Sequence, residues 1–517
     1  ADPGRAGPGP AEGPGALGPE ALPPAPAAAD GGPGRPGPGV DPPGPDVAPV
    51  LRGLDPDQRA AAMVTDGPLL IVAGPGTGKT RTLTHRIAHL VTGQGVPPER
   101  CLAITFTRRA CEELHERLRA LLPDAADRVL VATFHGLGLR IVREQHRALG
   151  LGVRVGIADE AERLALVAEL AGGSERDARR LSGALSRAKR ARAAGPEPVA
   201  GELAGPLARY DETLRARDLV DFDDLLALPV TLLGADPGLA ASYRDRWQRI
   251  SVDEYQDVDE LQYRLLRLLA PPGGHLCAIG DPDQAIYGFR GSHVGFFLRF
   301  TDDFPAARTV RLTRNYRSSR AIVDGALQAV APSTLVRGRV LDPQRREPSP
   351  PRIVVHQAAT EQGEADFVVR TVDELLGGSS LYSIDSGRVG PGVDGHGGLS
   401  FADVAVLYRT DAQAGPLADA LARAGMPFQK RSHDRLTARP GVRAVVGRLR
   451  AARAAGEPAG GEEPPVLTRV HRAVEAALDD ARAGPAARGE RLDRAELVLS
   501  AVAEDELRHA LDLLTPL

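Results

Sequence analysis

At 517 residues, with 42% hydrophobic content, the chain has the length and the apolar material for about three or four globular domains. A net charge of −4 points neither toward nor away from nucleic acid, so any footprint for a polyanion must be local. No apolar run approaches the roughly 18 residues that span a bilayer, and Cys101, Cys111 and Cys277 form neither a disulfide framework nor a zinc spacing, so a cytoplasmic, reducing location is expected and a membrane partner is not.

Taken in order, 37 of the first 50 residues are Ala, Gly or Pro without periodic apolar positions, too little to bury a core, and residues 1–49 read as a disordered tail or linker. Order is expected from Val50. The run Leu54-Asp-Pro-Asp-Gln-Arg-Ala-Ala61 has the form of a capped helix start, with Asp55 as N-cap and Pro56 in the first turn. Short apolar runs then alternate with helical periodicity: Leu69 to Ala73, Leu102 to Phe106, Val129 to Thr133, Ile250 to Val252, Leu276 to Ile279 and Val310 to Leu312. Their shortness and continuous apolarity predict a parallel sheet flanked by helices, an α/β fold. From about 146 to 230 the pattern is helical with no strand signal, which predicts an inserted helical subdomain. Within it, Arg176, Arg179, Arg180, Arg187, Lys189, Arg190 and Arg192 face only Glu175 and Asp177. Two readings fit that run: a solvated helix face, or a local nucleic-acid footprint. Beyond 326, Ile353 to Val355 and Val404 to Leu407 predict strands of a second α/β unit, separated by the Gly/Ser-rich stretch Gly377 to Ser400. Gly456 to Pro465 reads as another linker, and the last 50 residues as helical.

The chemistry concentrates at strand ends. Leu69 to Ala73 runs into Gly74-Pro-Gly-Thr-Gly-Lys-Thr80, and Leu83, Ile87 and Leu90 follow at helical spacing, so the order is strand, glycine-rich loop, helix. In that order Gly74, Gly76 and Gly78 let the backbone turn its amides around phosphate oxygens at a helix N-terminus. Lys79 is placed to reach β- and γ-phosphates and the Thr80 hydroxyl to hold Mg²⁺, with Thr77 and Arg81 completing a cradle for a nucleoside triphosphate. Ile250-Ser-Val-Asp-Glu-Tyr-Gln-Asp257 ends a second strand in adjacent acids, Asp253 to hold Mg²⁺ and Glu254 to orient and deprotonate a water. Past Leu276 to Ile279, the cluster Gly280 to Gly291 offers Gln284 as a γ-phosphate sensor. It also offers Tyr287 and Phe289 as stacking faces for unpaired bases, in a chain only 4% aromatic. Arg314-Asn-Tyr-Arg-Ser318 adds Tyr316, able to stack on adenine, and Arg317, able to stabilise charge on a transferring phosphoryl group.

Together these clusters resemble the UvrD/PcrA/Rep group of superfamily 1 DNA helicases over roughly residues 50 to 455. Leu54 to Ala61 is similar to that family's adenine-reading Q motif, with Gln58 as reader, and Ala73 to Thr80 is similar to its motif I. Thr105-Phe-Thr-Arg-Arg-Ala110 looks like motif Ia and Thr133-Phe-His-Gly136 like the next DNA-contacting motif. Asp221-Phe-Asp-Asp-Leu-Leu226 resembles the return from the helical insertion, while Val252 to Asp257, Gly280 to Gly291 and Asn315 to Ser318 resemble motifs II, III and IV. Asp403 to Thr410 looks like the opening of a second motor domain.

The resemblance implies an ATP-driven, Mg²⁺-dependent motor with RecA-like P-loop domains. Such a motor walks 3′ to 5′ on single-stranded DNA, opens forked DNA, and serves repair or replication beside other repair proteins at the nucleoid. It divides the chain into a first motor domain (50–145 and 231–325), an inserted helical subdomain (146–230), the start of a second motor domain (326–455), and a linker with a helical segment (456–517). It places Phe106, Thr107, His135, Tyr287 and Phe289 on the single-strand track, Gln58 and Tyr316 at adenine, and Gln284 and Arg317 at the γ-phosphate. Lys79, Asp253 and Glu254 form the catalytic set. Two later family motifs, Val-His-x-x-Lys-Gly-Leu-Glu and one ending in Thr-Arg-Ala, do not occur between Ser318 and Leu517. The expectation is therefore a C-terminally truncated chain whose remaining motor half is missing or separate. The alternative is a half-motor that grips nucleotide and DNA without unwinding.

Overall fold

The computed structural model describes residues 48–171, 175–195, 201–346, 352–376, 399–430, 444–449 and 470–476, in two units that divide between Ile353 and Val354. In the first unit the strands, in chain order, are β1 (Leu69–Ala73), β2 (Cys101–Thr105), β3 (Leu130–Thr133), β4 (Gly156–Ile157), β5 (Leu219–Val220), β6 (Arg249–Val252), β7 (His275–Gly280), β8 (Arg308–Leu312), β9 (Arg314–Asn315) and β10 (Asp342–Pro343). Six of them join one sheet in the order β3-β2-β6-β7-β1-β8, and every neighbouring pair is parallel. These are the six apolar runs expected as strands, shifted at their ends by no more than two residues.

The runs are continuous because both faces of the sheet are covered. Leu70, Val72, Leu102, Ile104, Ile250, Val252, Leu276 and Ala278 enter one core, with Leu261, Leu265 and Leu266 from the helix Glu260–Leu269. Leu69, Ile71, Ala73, Cys101, Ala103, Cys277 and Ile279 alternate with them into the other, against Leu83 and Ile87 of the helix Lys79–Thr92 and Leu114 and Leu118 of the helix Arg108–Leu121. A parallel sheet gathers the C-terminal ends of its strands along one edge, so the loops leaving β1, β6, β7 and β8 open on the same side. Because β7 lies between β1 and β6, its loop bridges the other two.

The chain enters the sheet through a 3₁₀ turn at Pro49–Leu51 and the helix Pro56–Ala62. Asp55 caps that helix as expected, its carboxylate accepting from the Gln58 amide at 2.8 Å. Between β4 and β5 the helices Glu160–Ala171, Glu175–Ala194 and Gly201–Ala216 pack around a small core of their own that includes Leu166, Val167, Leu185, Leu207, Tyr210 and Leu214. The expected absence of strand in this region needs correction: β4 and β5 pair in parallel where the chain leaves and re-enters these helices. Two-residue strands carry no periodic signal, so pattern alone reads helix there.

The basic run lies on the helix Glu175–Ala194 and divides in two. Ala178, Ser182, Leu185 and Lys189 are buried at helical spacing, so Lys189 falls on the inward stripe. Its ammonium, 1% exposed, stands 2.9 Å from Asp221 and Asp224 and 3.1 Å from Asp211. Arg190 bonds Asp259 at 2.9 Å and Arg192 bonds Asp211 at 2.7 Å. Neither reading of the run holds for Lys189, an internal counter-ion of the Asp221 to Asp224 turn; Arg190 is half-buried beside it, and Arg192 is exposed on the solvated face. Arg176, Arg180 and Arg187 remain exposed.

In the second unit the helices Glu361–Leu375 and Ala414–Arg423 pack through Ala365, Val369, Val372, Ala420, Ala424 and Met426. The strands expected at Ile353 to Val355 and Val404 to Leu407 are not formed. Neither run has a ladder partner among the described residues, and Val355 is 91% and Leu407 93% exposed. An apolar run specifies a strand only where a neighbour supplies the ladder. Residues 1–47, the bulk of Gly377 to Ser400, Gly456 to Pro465 and most of the last 50 residues lie outside the described residues, with the expectations placed on them. Among the described residues no single helix is long and apolar enough to cross a membrane.

Replacing Lys189 leaves three carboxylates buried without their shared cation. Lys189→Met is expected to lower the unfolding free energy by ~3–5 kcal/mol in a denaturant titration, while Arg187→Ala changes it by less than about 0.5 kcal/mol. Equal stability of Lys189→Met and the parent contradicts the counter-ion assignment.

Candidate functional site

The loop between β1 and the helix Lys79–Thr92 needs left-handed backbone at two positions, and both are glycine: Gly76 with φ +71° and Gly78 with φ +82°. It is also close-packed. A methyl group at Gly76 meets Arg317 Cβ and Asn315 Nδ2 at 2.7 Å, and one at Gly78 meets Gln58 Nε2 at 2.6 Å. Fully buried Thr77 closes the turn, its hydroxyl donating to the Gly74 carbonyl at 2.8 Å. Other loop carbonyls are held from outside. Gln58 Nε2 donates to Thr77 O at 2.9 Å, Asn315 Nδ2 to Pro75 O at 2.7 Å, and the Tyr316 amide to Gly76 O at 2.8 Å. With the carbonyls tied back and the first amides of the helix lacking intrahelical partners, the concavity presents N–H groups, as an anion site requires.

Lys79 brings three loops together. Its Nζ lies 3.0 Å from Glu254 Oε2 and 3.2 Å from Gln284 Oε1, so residues following β1, β6 and β7 meet on one ammonium. Glu254 adopts φ +50° and ψ +44°, a left-handed conformation that costs a non-glycine residue about 1–3 kcal/mol. Buried Gln256 supports it, donating from Nε2 to Glu254 Oε2 at 2.9 Å while its Oε1 accepts from the Asp281 amide at 3.0 Å. Asp253, 5% exposed, accepts from the Glu254 amide at 3.0 Å. Burial, and secondly the Glu254 charge, push its carboxyl up to about 6 against the pull of Lys79. Burial likewise raises Asp257 to about 6, and its Oδ1 is buried without a hydrogen-bond partner.

Acids held out of water beside a single ammonium make an oxygen-rich niche with room for further positive charge. The Thr80 hydroxyl and the Asp253 carboxylate are the oxygens expected from the sequence to hold Mg²⁺. Among the described residues no group of three or more His, Cys, Asp or Glu forms a closed metal cage.

Gln58 and Tyr316, both assigned to adenine, are joined through Asp55. Its carboxylate caps Gln58 and accepts from the Tyr316 hydroxyl at 2.7 Å, and burial followed by Asp55 pushes that phenol up to about 12. Arg317 is exposed and walls the loop at Gly76, its amide donating to Asn315 Oδ1 at 3.0 Å. Arg81 does not join this group: its guanidinium is used on the Gly53 carbonyl at 2.9 Å.

The residues expected on a nucleic-acid track fall into separate settings. Phe106 packs edge-on against buried Phe134 at 5.5 Å, and Thr107 caps the helix Arg108–Leu121 by accepting from the Ala110 amide at 3.1 Å. His135 stacks on Phe222 at 3.9 Å, and burial holds its imidazole below the usual pKa. Tyr287 and Phe289 stand exposed with ring centres 6.3 Å apart. Phe222, 60% exposed and stacked on His135, was not singled out in the sequence, although an aromatic side chain between Asp221 and Asp223 in so aromatic-poor a chain was a usable signal. Arg339, bonded to Asp281 beside Gln284, carried none.

Two family models match the chain: the UvrD/REP helicase N-terminal domain over residues 54–305 and the UvrD-like helicase C-terminal domain over residues 310–453. The ATP-dependent DNA helicase PcrA of Leuconostoc citreum is 35% identical over 396 residues, which is 74% of this chain and 50% of that relative. PcrA of Staphylococcus aureus is 32% identical over 391 residues, 73% of this chain and 51% of the relative. PcrA of Bacillus subtilis is 33% identical over 393 residues, 73% and 50% respectively. The chain spans about half the length of the curated relatives it matches. The second model also shows that C-terminal-domain sequence is present in this chain. With both matched domains in their family order, the chain belongs to the UvrD/REP helicase family.

Proposed function

We propose that this chain binds ATP with Mg²⁺ and, in its motor, couples hydrolysis to 3′-to-5′ movement on single-stranded DNA. Forked DNA met in repair or replication at the nucleoid is the substrate that such movement opens. The observation that carries this reading is the meeting of Glu254 and Gln284 on Lys79 at the mouth of the glycine loop. It gathers a phosphate-binding cation, a base and a γ-phosphate sensor in one place, and the PcrA relatives are named ATP-dependent DNA helicases.

In this reading Lys79 leaves Glu254 for the β- and γ-phosphates, and the released carboxylate takes a proton from the attacking water. Thr80 and Asp253 would hold Mg²⁺, which when bound would supply neutralising charge to the phosphate oxygens. Gln284 and Arg317 read the γ-phosphate, while Gln58 and Tyr316 hold adenine over the loop made by Gly74, Gly76, Thr77 and Gly78. Phe106, Thr107, His135, Tyr287 and Phe289, with Phe222, make the strand track. Stacking platforms of this kind tolerate any base, as movement along DNA demands. We infer the same domain division as the resemblance implies: first motor domain 50–145 and 231–325, helical insertion 146–230, and second motor domain from 326.

The test is ATP turnover by this chain with and without single-stranded DNA. DNA-stimulated turnover is expected, and Lys79→Ala and Glu254→Gln are each expected to reduce it by about 100-fold or more. Unchanged turnover in Glu254→Gln removes Glu254 as the base. Binding of both ATP and DNA with no turnover favours the half-motor reading instead. For the helical insertion, replacing exposed Arg180 and Arg187 with Ala is expected to reduce the salt-dependence slope of DNA binding by about 1 for each arginine that pairs with a phosphate. An unaltered slope makes that face merely solvated.

A further inference from the structure

Between β8 and Ile353, the segment Thr334 to Leu341 is fastened onto the nucleotide site. Arg339, whose side chain is 10% exposed, clasps Asp281 with both arms of its guanidinium: Nη1 to Oδ1 at 2.7 Å and Nη2 to Oδ2 at 2.5 Å. Nη1 also reaches Asp283 Oδ2 at 2.6 Å. The same carboxylate of Asp283 accepts from the Thr334 hydroxyl and the Leu335 amide, each at 2.6 Å. On its other side the segment lies against the glycine loop, where a methyl group at Gly74 meets Leu341 Cδ2 at 2.7 Å and Arg339 Nη2 at 3.1 Å.

What Arg339 holds determines how Gln284 points. Asp281, fully buried, spends Oδ2 on the Gln284 Nε2 donor at 2.7 Å as well as on Arg339. One Nε2–H of Gln284 is held by Asp281, which turns Oε1 toward Lys79, the contact formed, and leaves the second N–H as the donor for a phosphate oxygen. Without the guanidinium, Asp281 is a buried carboxylate lacking its cation, and the turn that holds it against the Gln284 amide loses its clasp. The Gln284 amide is then free to flip.

We propose that Arg339 is a positioning residue for the γ-phosphate: acting through Asp281, it fixes the Gln284 amide against Lys79 and ties that orientation to the segment Thr334 to Leu341. The inference rests on the ATP-site reading proposed for Lys79 and Gln284. A lysine cannot replace Arg339, because one ammonium does not reproduce a two-armed clasp on a carboxylate.

The test compares binding of ADP, which lacks a γ-phosphate, with binding of the non-hydrolysable triphosphate AMP-PNP, both with Mg²⁺, to this chain. Arg339→Met and the charge-keeping Arg339→Lys are each expected to weaken AMP-PNP about tenfold while ADP stays within about twofold. Gln284→Ala is expected to give the same split, and the double variant Arg339→Lys/Gln284→Ala to lose no more than either single change. Equal losses for ADP and AMP-PNP in both Arg339 variants, or losses that multiply in the double variant, overturn the relay. Lys79→Ala separates the relay from the site reading beneath it. If it weakens AMP-PNP while the Arg339 variants do not, only the relay falls; if it binds AMP-PNP like the parent, the site reading falls and takes the relay with it.

Discussion

Lys79 places one positive charge where three strand-end loops converge, and the arrangement of the site follows from it. The parallel sheet brings the loops to a common edge, but it does not by itself set their distances. Contacts of 3.0 Å to Glu254 and 3.2 Å to Gln284 do that. Both partners are themselves supported by buried side chains, Gln256 behind Glu254 and Asp281 behind Gln284. The left-handed backbone at Glu254 fits the same picture, because strain of that size persists only where surrounding contacts over-determine it. On the proposed reading, the contact that shields Glu254 is the one that a triphosphate must break, so the base is released only when substrate arrives.

A second theme is how charge is distributed inside the first unit. Lys189 among Asp211, Asp221 and Asp224, and Arg339 among Asp281 and Asp283, are both buried cations shared by several carboxylates. Ion clusters of this sort are poor sources of net stability, since desolvation offsets much of the attraction, but they are intolerant of losing one member. They therefore fix geometry. The Lys189 cluster sets the turn that carries Phe222 under His135, and the Arg339 cluster sets the turn that carries Gln284.

The main sheet was legible in the sequence because burial on both faces leaves an uninterrupted apolar run at each strand, a pattern that Leu69 to Ala73 and Leu276 to Ile279 show plainly. The glycine loop was legible for a different reason: its backbone angles admit little but glycine, and Gly76 and Gly78 stand where the left-handed turns occur. What could not be read depends on partners distant in sequence. Lys189 looked like one cation in a basic run until a helical stripe and three aspartates took it inside. Arg339 was one arginine among many, and only Asp281 and Asp283, far back along the chain, give it meaning. Ile353 to Val355 and Val404 to Leu407 had the composition of strands without, among the described residues, neighbours to pair with. Arg81, next to the phosphate-binding run, turns to Gly53 because its position on the first helical turn points it outward.

The central claim is that Lys79 is a phosphate ligand parked on Glu254, and a crystal structure of this chain with AMP-PNP and Mg²⁺ tests it most directly. The account predicts triphosphate in the glycine loop, Lys79 Nζ moved from Glu254 onto the β- and γ-phosphate oxygens, and Gln284 still bonded to Asp281. A nucleotide bound elsewhere, or bound in the loop with the Lys79–Glu254 pair intact, contradicts it.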